Sequence, residues 1–340
     1  MNPILGTPSS VLTAGRSRNT LCGFALVNCL ASGETVPRRG RRKRLILERE
    51  IFMSMFRPRR SLVIVSVFLC CLVMTAVTSA DHAWGNYHWA RTSNPFTLKV
   101  GDNVNSAWDA YLNEAISDWN ASSVLDLQKV TGGANPKNCR PTSGRIEVCN
   151  SKYGNNGWLG IAQIWASGSH ITQAITKVND TYFNTPTYNT AAWRRLVMCQ
   201  EIAHDFGLDH QDENFNNANL GSCMDYTNDP DGGAGGAVNN DPSNEHPNSH
   251  DFQQISTIYG HTDSSTTISQ TVFGHRDAEG PAPPAMNQID LEGPRQWGRL
   301  IRSSPEGRVQ LYELDFGNGH KIFTHVLWAD GEERGRGHQH

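Results

Sequence analysis

The feature that most constrains this chain of 340 residues is an eleven-residue stretch, QEIAHDFGLDH, from Gln200 to His210. The sequence that leads into it, AAWRRLVMCQEIAHDF, has apolar residues at helical spacing and predicts a helix from about Thr190. Gln200 and His204 are four residues apart, so they lie on one face of that helix, about one turn from each other. Gly207 tolerates a positive φ and can end the helix, which leaves His210 free to turn back toward the same face. Two side chains on a helix, a glycine turn and a third side chain beyond it are typical of an open catalytic metal site.

The stretch resembles the active-site signature of the metzincin zinc endopeptidases, H-E-x-x-H-x-x-G-x-x-H, which is followed by a methionine turn. Glu201, His204, Gly207 and His210 match that signature. The layout is closest to the matrixin-like group, and the resemblance covers roughly residues 84–262. It implies a zinc cofactor and the hydrolysis of peptide bonds in protein or peptide substrates by a metal-activated water.

Roles for individual residues follow from the same resemblance. The segment GSCMDY resembles the methionine turn, so Met224 would form a hydrophobic floor below the metal without binding it. Glu201 would be the general base and then the acid, and Tyr226 would assist the oxyanion. The residues implied as zinc ligands are Gln200, His204 and His210.

Gln200 stands where the signature has its first histidine, and two interpretations of it stay open. In the first, the amide oxygen of Gln200 binds zinc as a weaker ligand than imidazole, and the chain is a zinc metalloendopeptidase. In the second, the chain is a catalytically inactive, metzincin-like pseudoprotease that acts as a secreted protein-binding module. The presence of Glu201 favours the first, because a zinc hydrolase needs a carboxylate at this position and an inactive site does not.

The order of the predicted elements indicates an α+β fold. Short strands are predicted at LDLQKV, GRIEVCN, GIAQIWA and HITQAITKVND, and helices at NSAWDAYLNEAISDWNAS, capped by Asn105 or Ser106, and at HDFQQISTIYGH. The stretch NNGWLGIAQIWASGSHI resembles the metzincin edge strand that aligns extended substrates above the cleft. We therefore expect a twisted mixed sheet, an active-site helix and a methionine turn, with the metal cleft between two subdomains.

The N-terminal region predicts export. Residues 1–52 form a basic extension that is non-native or unstructured, and residues 53–80 form a signal peptide whose apolar run ends in Thr78, Ser79 and Ala80. The alternative is an uncleaved signal anchor, which would make the chain a membrane-anchored adhesion or scaffold protein. We expect cleavage, a secreted monomer and no stable association with membranes.

Charge excludes one class of partner. Residues 1–60 contain 12 Lys and Arg and 3 Asp and Glu, whereas the whole chain has a net charge of −3, so the remainder carries −12. An acidic mature chain does not fit a nucleic-acid partner.

The rest of the mature chain divides into three parts. Residues 81–262 are predicted as the metallopeptidase domain, residues 263–290 as a linker, and residues 291–340 as a small appendage with a β-hairpin and a disordered tail. An oxygen-rich segment, NDPDGG, is a candidate calcium site, although a solvated loop is the commoner explanation of such a segment.

Four cysteines follow the leader, and an even number in an exported chain predicts two disulfide bonds. Three pairings are possible. Cys139 with Cys149 would close a small loop, and Cys199 with Cys223 would join the active-site helix to the methionine turn.

Overall fold

The computed structural model describes the chain in five ranges, namely residues 82–233, 240–269, 282–289, 291 and 293–332. The predictions made for residues 1–80 lie outside these ranges. Among the described residues no helix is both long and apolar enough to cross a membrane.

Nine strands form one mixed sheet within these ranges. They are β1 His88–Trp89, β2 Phe96–Asn103, β3 Leu125–Thr131, β4 Ile146–Ser151, β5 Trp158–Ser167, β6 His170–Asn179, β7 Arg299–Ser303, β8 Val309–Asp315 and β9 His320–Trp328. The strand order is β3-β2-β4-β6-β5-β9-β8-β7, and β1 pairs with the start of β6. Strands β2, β3, β4 and β6 are parallel, whereas β5, β7, β8 and β9 pair with antiparallel neighbours.

The helices lie between these strands in the sequence, so the fold is α+β with a mixed sheet, as the sequence predicted at this coarse level. They are α1 Asp109–Trp119, α2 Asp180–Phe183, α3 Ala191–His204, α4 Ser249–Ile258 and α5 Pro284–Gln288, with a 3₁₀ turn at Pro294–Gln296.

Helix α3 begins where its sequence predicts. The Thr190 side chain accepts a hydrogen bond from the Trp193 backbone N–H at 3.2 Å, which caps the helix. The predicted cap of α1 was wrong, because α1 begins after Trp108 and no side chain caps it. Asn105 instead accepts from the Ala107 N–H in the turn before the helix.

The sheet has a hydrophobic core on each face. Helices α1 and α3 pack on one face, where Leu112 and Leu196 are buried. The other face is covered by the Cys139–Cys149 disulfide and by Trp297. Apolar residues on both sides of the sheet explain why its central strands have few exposed positions.

The expectation that β5 is an edge strand was wrong. β5 pairs with β6 on one side and with β9 on the other, and the second pairing extends from Trp158 opposite Trp328 to Ser167 opposite His320.

The predicted C-terminal hairpin is present as β8 and β9, and β9 joins it to the sheet. The alternation of β9 explains this position, since Phe323 and Leu327 face the helical core whereas Ile322 and Val326 face the other core.

Asp263 connects the segment after α4 to the residues after β1. One carboxylate oxygen accepts from the Arg91 backbone N–H at 3.1 Å and from its guanidinium at 2.8 Å. The other oxygen lies 3.3 Å from Nε2 of both His88 and His170. Burial raises the pKa of Asp263, but the hydrogen bonds from Arg91 and His88 outweigh burial and leave the pKa below its usual value.

We expect Asp263→Asn to lower the free energy of unfolding by about 3 kcal/mol at pH 7, because it leaves the buried Arg91 guanidinium without a counter-charge. A carboxyl group whose pKa is lower in the folded chain than in the unfolded chain stabilises the fold at pH values above its unfolded pKa of about 4. That stabilisation is lost as the pH falls through the pKa of the folded chain. Urea denaturation at pH 7 and at pH 3 measures both effects. The matched control is Asp126→Asn at an exposed aspartate. A difference from wild type that is the same at both pH values would contradict this account.

Candidate active site

Helix α3 carries three of the predicted site residues, and all three are buried. Gln200, Glu201 and His204 lie in its last two turns. The Gln200 amide nitrogen donates to the Cys223 backbone oxygen at 2.9 Å, which leaves its oxygen Oε1 without a hydrogen-bond partner among the described residues. The orientation of Gln200 is therefore fixed by the segment that precedes Met224.

Glu201 lies against the middle of the sheet because β5 has a glycine at that point. A Cβ atom on Gly160 would come within 2.8 Å of the Glu201 carboxyl carbon and 2.7 Å of a Val197 methyl group. The absence of a side chain at Gly160 thus gives the carboxylate its place next to β5. Burial raises the pKa of Glu201 well above its usual value, and the nearby Asp205 raises it further.

The chain beyond α3 fixes the ring of His204. Gly207 has a φ of +99°, which reverses the chain and brings the Leu208 carbonyl back to the helix. The His204 Nδ1–H donates to that carbonyl at 2.8 Å. Its Nε2 is then a bare lone pair, and it has no partner among the residues that the structure describes. Burial, followed by the neighbouring His210, lowers the pKa of His204 well below its usual value, so the ring is neutral.

Nδ1 of His210 lies beside two carboxylates but has no hydrogen-bond partner among the described residues. Its Nδ1 lies 3.3 Å from a carboxylate oxygen of Asp209 and 3.7 Å from one of Glu213. Burial raises the pKa of Asp209, but the hydrogen bonds from His210 and Arg302 outweigh it and lower the pKa, so Asp209 stays ionised. A carboxylate beside Nδ1 is common behind metal-binding histidines, and Nε2, which here contacts the Tyr226 hydroxyl, would then be the ligand atom.

Tyr226 and Met224 complete the set predicted from the sequence. The Tyr226 hydroxyl makes a short contact with Nε2 of His210. Burial raises the pKa of Tyr226 well above its usual value, so the phenol keeps its proton and can donate it. Met224 is buried next to this group, and its N–H donates to the Ser222 hydroxyl at 2.9 Å.

His325, in β9, is a residue that the sequence analysis missed. Its ligand nitrogen and those of His204 and His210 all lie within 4.8 Å of one another. Its Nδ1 lies 3.3 Å from Glu201 Oε2, and its Nε2 lies 3.1 Å from the Tyr226 hydroxyl. The motif contains no trace of this residue, which lies beyond the predicted linker. The sequence gives one indication of its role. Alternation along β9 predicts that position 325 is buried, and a histidine at a buried position of a strand is a candidate functional residue.

Arg302, in β7, was also missed. Its guanidinium forms a pair of short hydrogen bonds with the Asp209 carboxylate and lies 3.4 Å from Glu213. It therefore contacts the two acidic residues that lie behind His210. Strands from the C-terminal part of the chain reach the site at two points, through Arg302 and through His325.

The donor set fits a metal cation. Gln200 Oε1 and His204 Nε2 are buried acceptor atoms without a donor in the described structure. Burying such groups unpaired is costly, whereas a bound cation would satisfy them. Imidazole nitrogens suit zinc, and the amide oxygen is a weaker but possible ligand.

Two other groups of side chains in the described structure contain residue types that bind cations. His88, His261 and Asp263 form a cluster outside the active site, where they connect the chain after α4 to β1. In the candidate calcium segment, burial raises the pKa of Asp229, and the neighbouring Asp231 raises it further. Calcium binding by that segment stays a prediction.

Comparisons with known proteins give little beyond this geometry. No family model matches the chain, and no curated protein matches it. Among solved structures it is similar to high choriolytic enzyme 1, a hatching-enzyme zinc protease of the medaka fish Oryzias latipes. The identity is 12%, the match covers 55% of this chain and 98% of that one, and the TM-score is 0.28.

The structure contains both disulfide bonds that the sequence analysis discussed, Cys139–Cys149 and Cys199–Cys223. The second joins α3 to the segment that precedes Met224 and closes a loop with a sequence separation of 24. We expect replacement of both members of either pair by alanine to lower the free energy of unfolding by about 3 kcal/mol.

Only the loss of Cys199–Cys223 should also weaken metal binding, because that disulfide fixes α3 relative to the carbonyl that orients Gln200. Cobalt titration of the two double variants measures this difference, and Cys139→Ala with Cys149→Ala is the matched control. Equal cobalt affinity in the two variants would contradict a role for the second disulfide in the site.

Proposed function

We propose that the chain is a secreted, metzincin-like zinc endopeptidase, with Gln200, His204 and His210 as the metal ligands. The observation that carries this proposal is the pair of buried, unpartnered ligand atoms on one helix, Gln200 Oε1 and His204 Nε2. A carboxylate, Glu201, lies between them in sequence. A structural helix gains nothing from such atoms, since each costs free energy until a partner satisfies it, and a cation would satisfy both acceptors together.

Each residue has a role in hydrolysis. Zinc, when bound, supplies a Lewis acid that polarises the scissile carbonyl and lowers the pKa of water. Glu201 takes a proton from the water as the water attacks the carbonyl carbon, and it gives that proton to the amine as the C–N bond breaks. The Tyr226 O–H donates to the oxyanion that forms on the substrate. The Leu208 carbonyl holds the ring of His204, and Met224 supplies an apolar surface beside it.

The proposal extends to the location and boundaries of the protein. Two disulfide bonds are typical of exported proteins and support secretion after cleavage at residue 80. We also propose that residues 81–262 form the peptidase domain that carries Gln200, His204 and His210, that the substrate is a protein or peptide, and that the protein is a monomer.

A second candidate function is a non-catalytic binding module. It is favoured by one observation, the complete burial of Glu201 and the near-complete burial of Tyr226 in the described structure. A hydrolase needs access to both residues. The two candidates differ in one measurable property, since only the peptidase hydrolyses a substrate when zinc is bound.

We expect the secreted full-length chain to contain about one zinc per molecule and His204→Ala to contain almost none. Glu201→Gln should keep the zinc and lower hydrolysis of a denatured protein at least about 100-fold, because it removes the general base. Elemental analysis and release of labelled peptides measure the two quantities. The control is Glu114→Gln, at a partly exposed glutamate that pairs with Arg195 at 2.9 Å.

Zinc-free wild-type protein would refute the proposal. Zinc-loaded protein whose slow hydrolysis does not differ between wild type and Glu201→Gln would favour the binding module.

A further inference from the structure

We propose that His325 is an additional metal ligand that closes the site, and that β9 occupies the place along β5 that an extended substrate needs. The chain as folded is then a latent peptidase, closed by its own C-terminal strand. This inference rests on the proposed function, because it concerns the regulation of the same metal site.

The position of His325 is the first argument. Its imidazole lies between Glu201 Oε2, at 3.3 Å, and the Tyr226 hydroxyl, at 3.1 Å. Those are the two groups that must face the water and the scissile carbonyl during hydrolysis. While His325 stays there, neither reactant has room beside both groups.

The number of ligands is the second argument. A catalytic zinc site has three protein ligands and one open position, whereas a structural site is closed by a fourth. Gln200, His204 and His210 supply three, and His325 would supply the fourth. An imidazole is also a stronger zinc ligand than the Gln200 amide, so His325 would compensate for the missing histidine of the motif.

The pairing of β9 is the third argument. Peptides that bind in extended form add a strand to an exposed sheet edge through main-chain hydrogen bonds. The free side of β5 would be such an edge, but β9 is paired along it over the whole length of β5. His325 lies opposite Ala162, two residues from the Gly160 that makes room for Glu201. An extended substrate can therefore reach the site only if β9 leaves.

The fourth argument is that β9 is anchored beside the site through β8 and β7. β9 also pairs with β8, and β8 pairs with β7, whose Arg302 forms its short hydrogen bonds with Asp209. Metal binding and the docking of β9 should be linked, because a ligand that binds the docked form more tightly shifts the equilibrium toward it. The metal would thus stabilise the closed form, and withdrawal of β9 would open one coordination position.

Cobalt is a suitable probe, since it occupies zinc sites and its visible spectrum reports the ligands. In the full-length secreted chain we expect His325→Ala to bind cobalt at least about 10-fold more weakly and with a changed spectrum. Added imidazole should restore the wild-type spectrum in His325→Ala. His325→Leu is the second variant, since a leucine suits the buried stripe of Phe323 and Leu327 and preserves folding. The control is His320→Ala, at a buried histidine on the opposite face of the same strand.

Hydrogen exchange supplies a measurement that is independent of the metal spectrum. Chelation should speed amide exchange in residues 320–328 at least about 10-fold in wild type and in His320→Ala, because the metal stabilises the docked strand. It should have no such effect in His325→Ala or His325→Leu. Imidazole rescue together with this loss of linkage would support the closed state.

Two results would overturn the proposal in distinguishable ways. If the His325 variants bind cobalt with wild-type affinity and spectrum while His204→Ala does not bind it, His325 is not a ligand and the proposed function is unaffected. If wild type does not bind cobalt either, the proposed function fails together with the closed state.

Discussion

The packing of α3 against β5 is the constraint on which the site depends. The helix carries Gln200, Glu201 and His204, and the carboxylate finds room only because β5 has a glycine at position 160. The disulfide and the Gln200 amide then fix the segment that contains Met224 against the same helix. The segment that contains Met224 is therefore positioned relative to the contact between α3 and β5.

Ring orientation is set by the surroundings of each histidine. His204 is held by the Leu208 carbonyl, and Nδ1 of His210 faces the Asp209 carboxylate. Such partners select one tautomer. The other nitrogen of His204 is bare, whereas that of His210 contacts the Tyr226 hydroxyl. Burial lowers the pKa values of His204 and His325, so both rings are neutral. The bare Nε2 of His204 is costly in this environment without a cation. The site thus places acceptor atoms for a metal in a buried environment. Electrostatic stabilisation of a reaction is strongest in such an environment, once a substrate can enter it.

Local features of the sequence predicted much of the fold. The spacing of apolar residues located α1 and α3, Thr190 marked the start of α3, and alternation located the strands and the C-terminal hairpin. These signals act over a few residues, so they can be read from a single sequence. The cap of α1 was missed because Asn105 bonds within its own turn instead.

Long-range pairing could not be predicted in the same way. The choice of β5 as the partner of β9 depends on the register of two strands that are more than 150 residues apart. Without that pairing β5 appeared to be an edge strand, and His325 had no reason to be placed near His204. The bidentate contact of Arg302 with Asp209 was invisible for the same reason.

X-ray absorption spectroscopy of the zinc-loaded, full-length chain tests the central claim most directly, because it reports the ligands around the metal. The account predicts three imidazoles, from His204, His210 and His325, with one oxygen from Gln200. His325→Leu should then show two imidazoles. Two imidazoles in wild type, unchanged in His325→Leu, would contradict the account and leave β9 without a role at the metal.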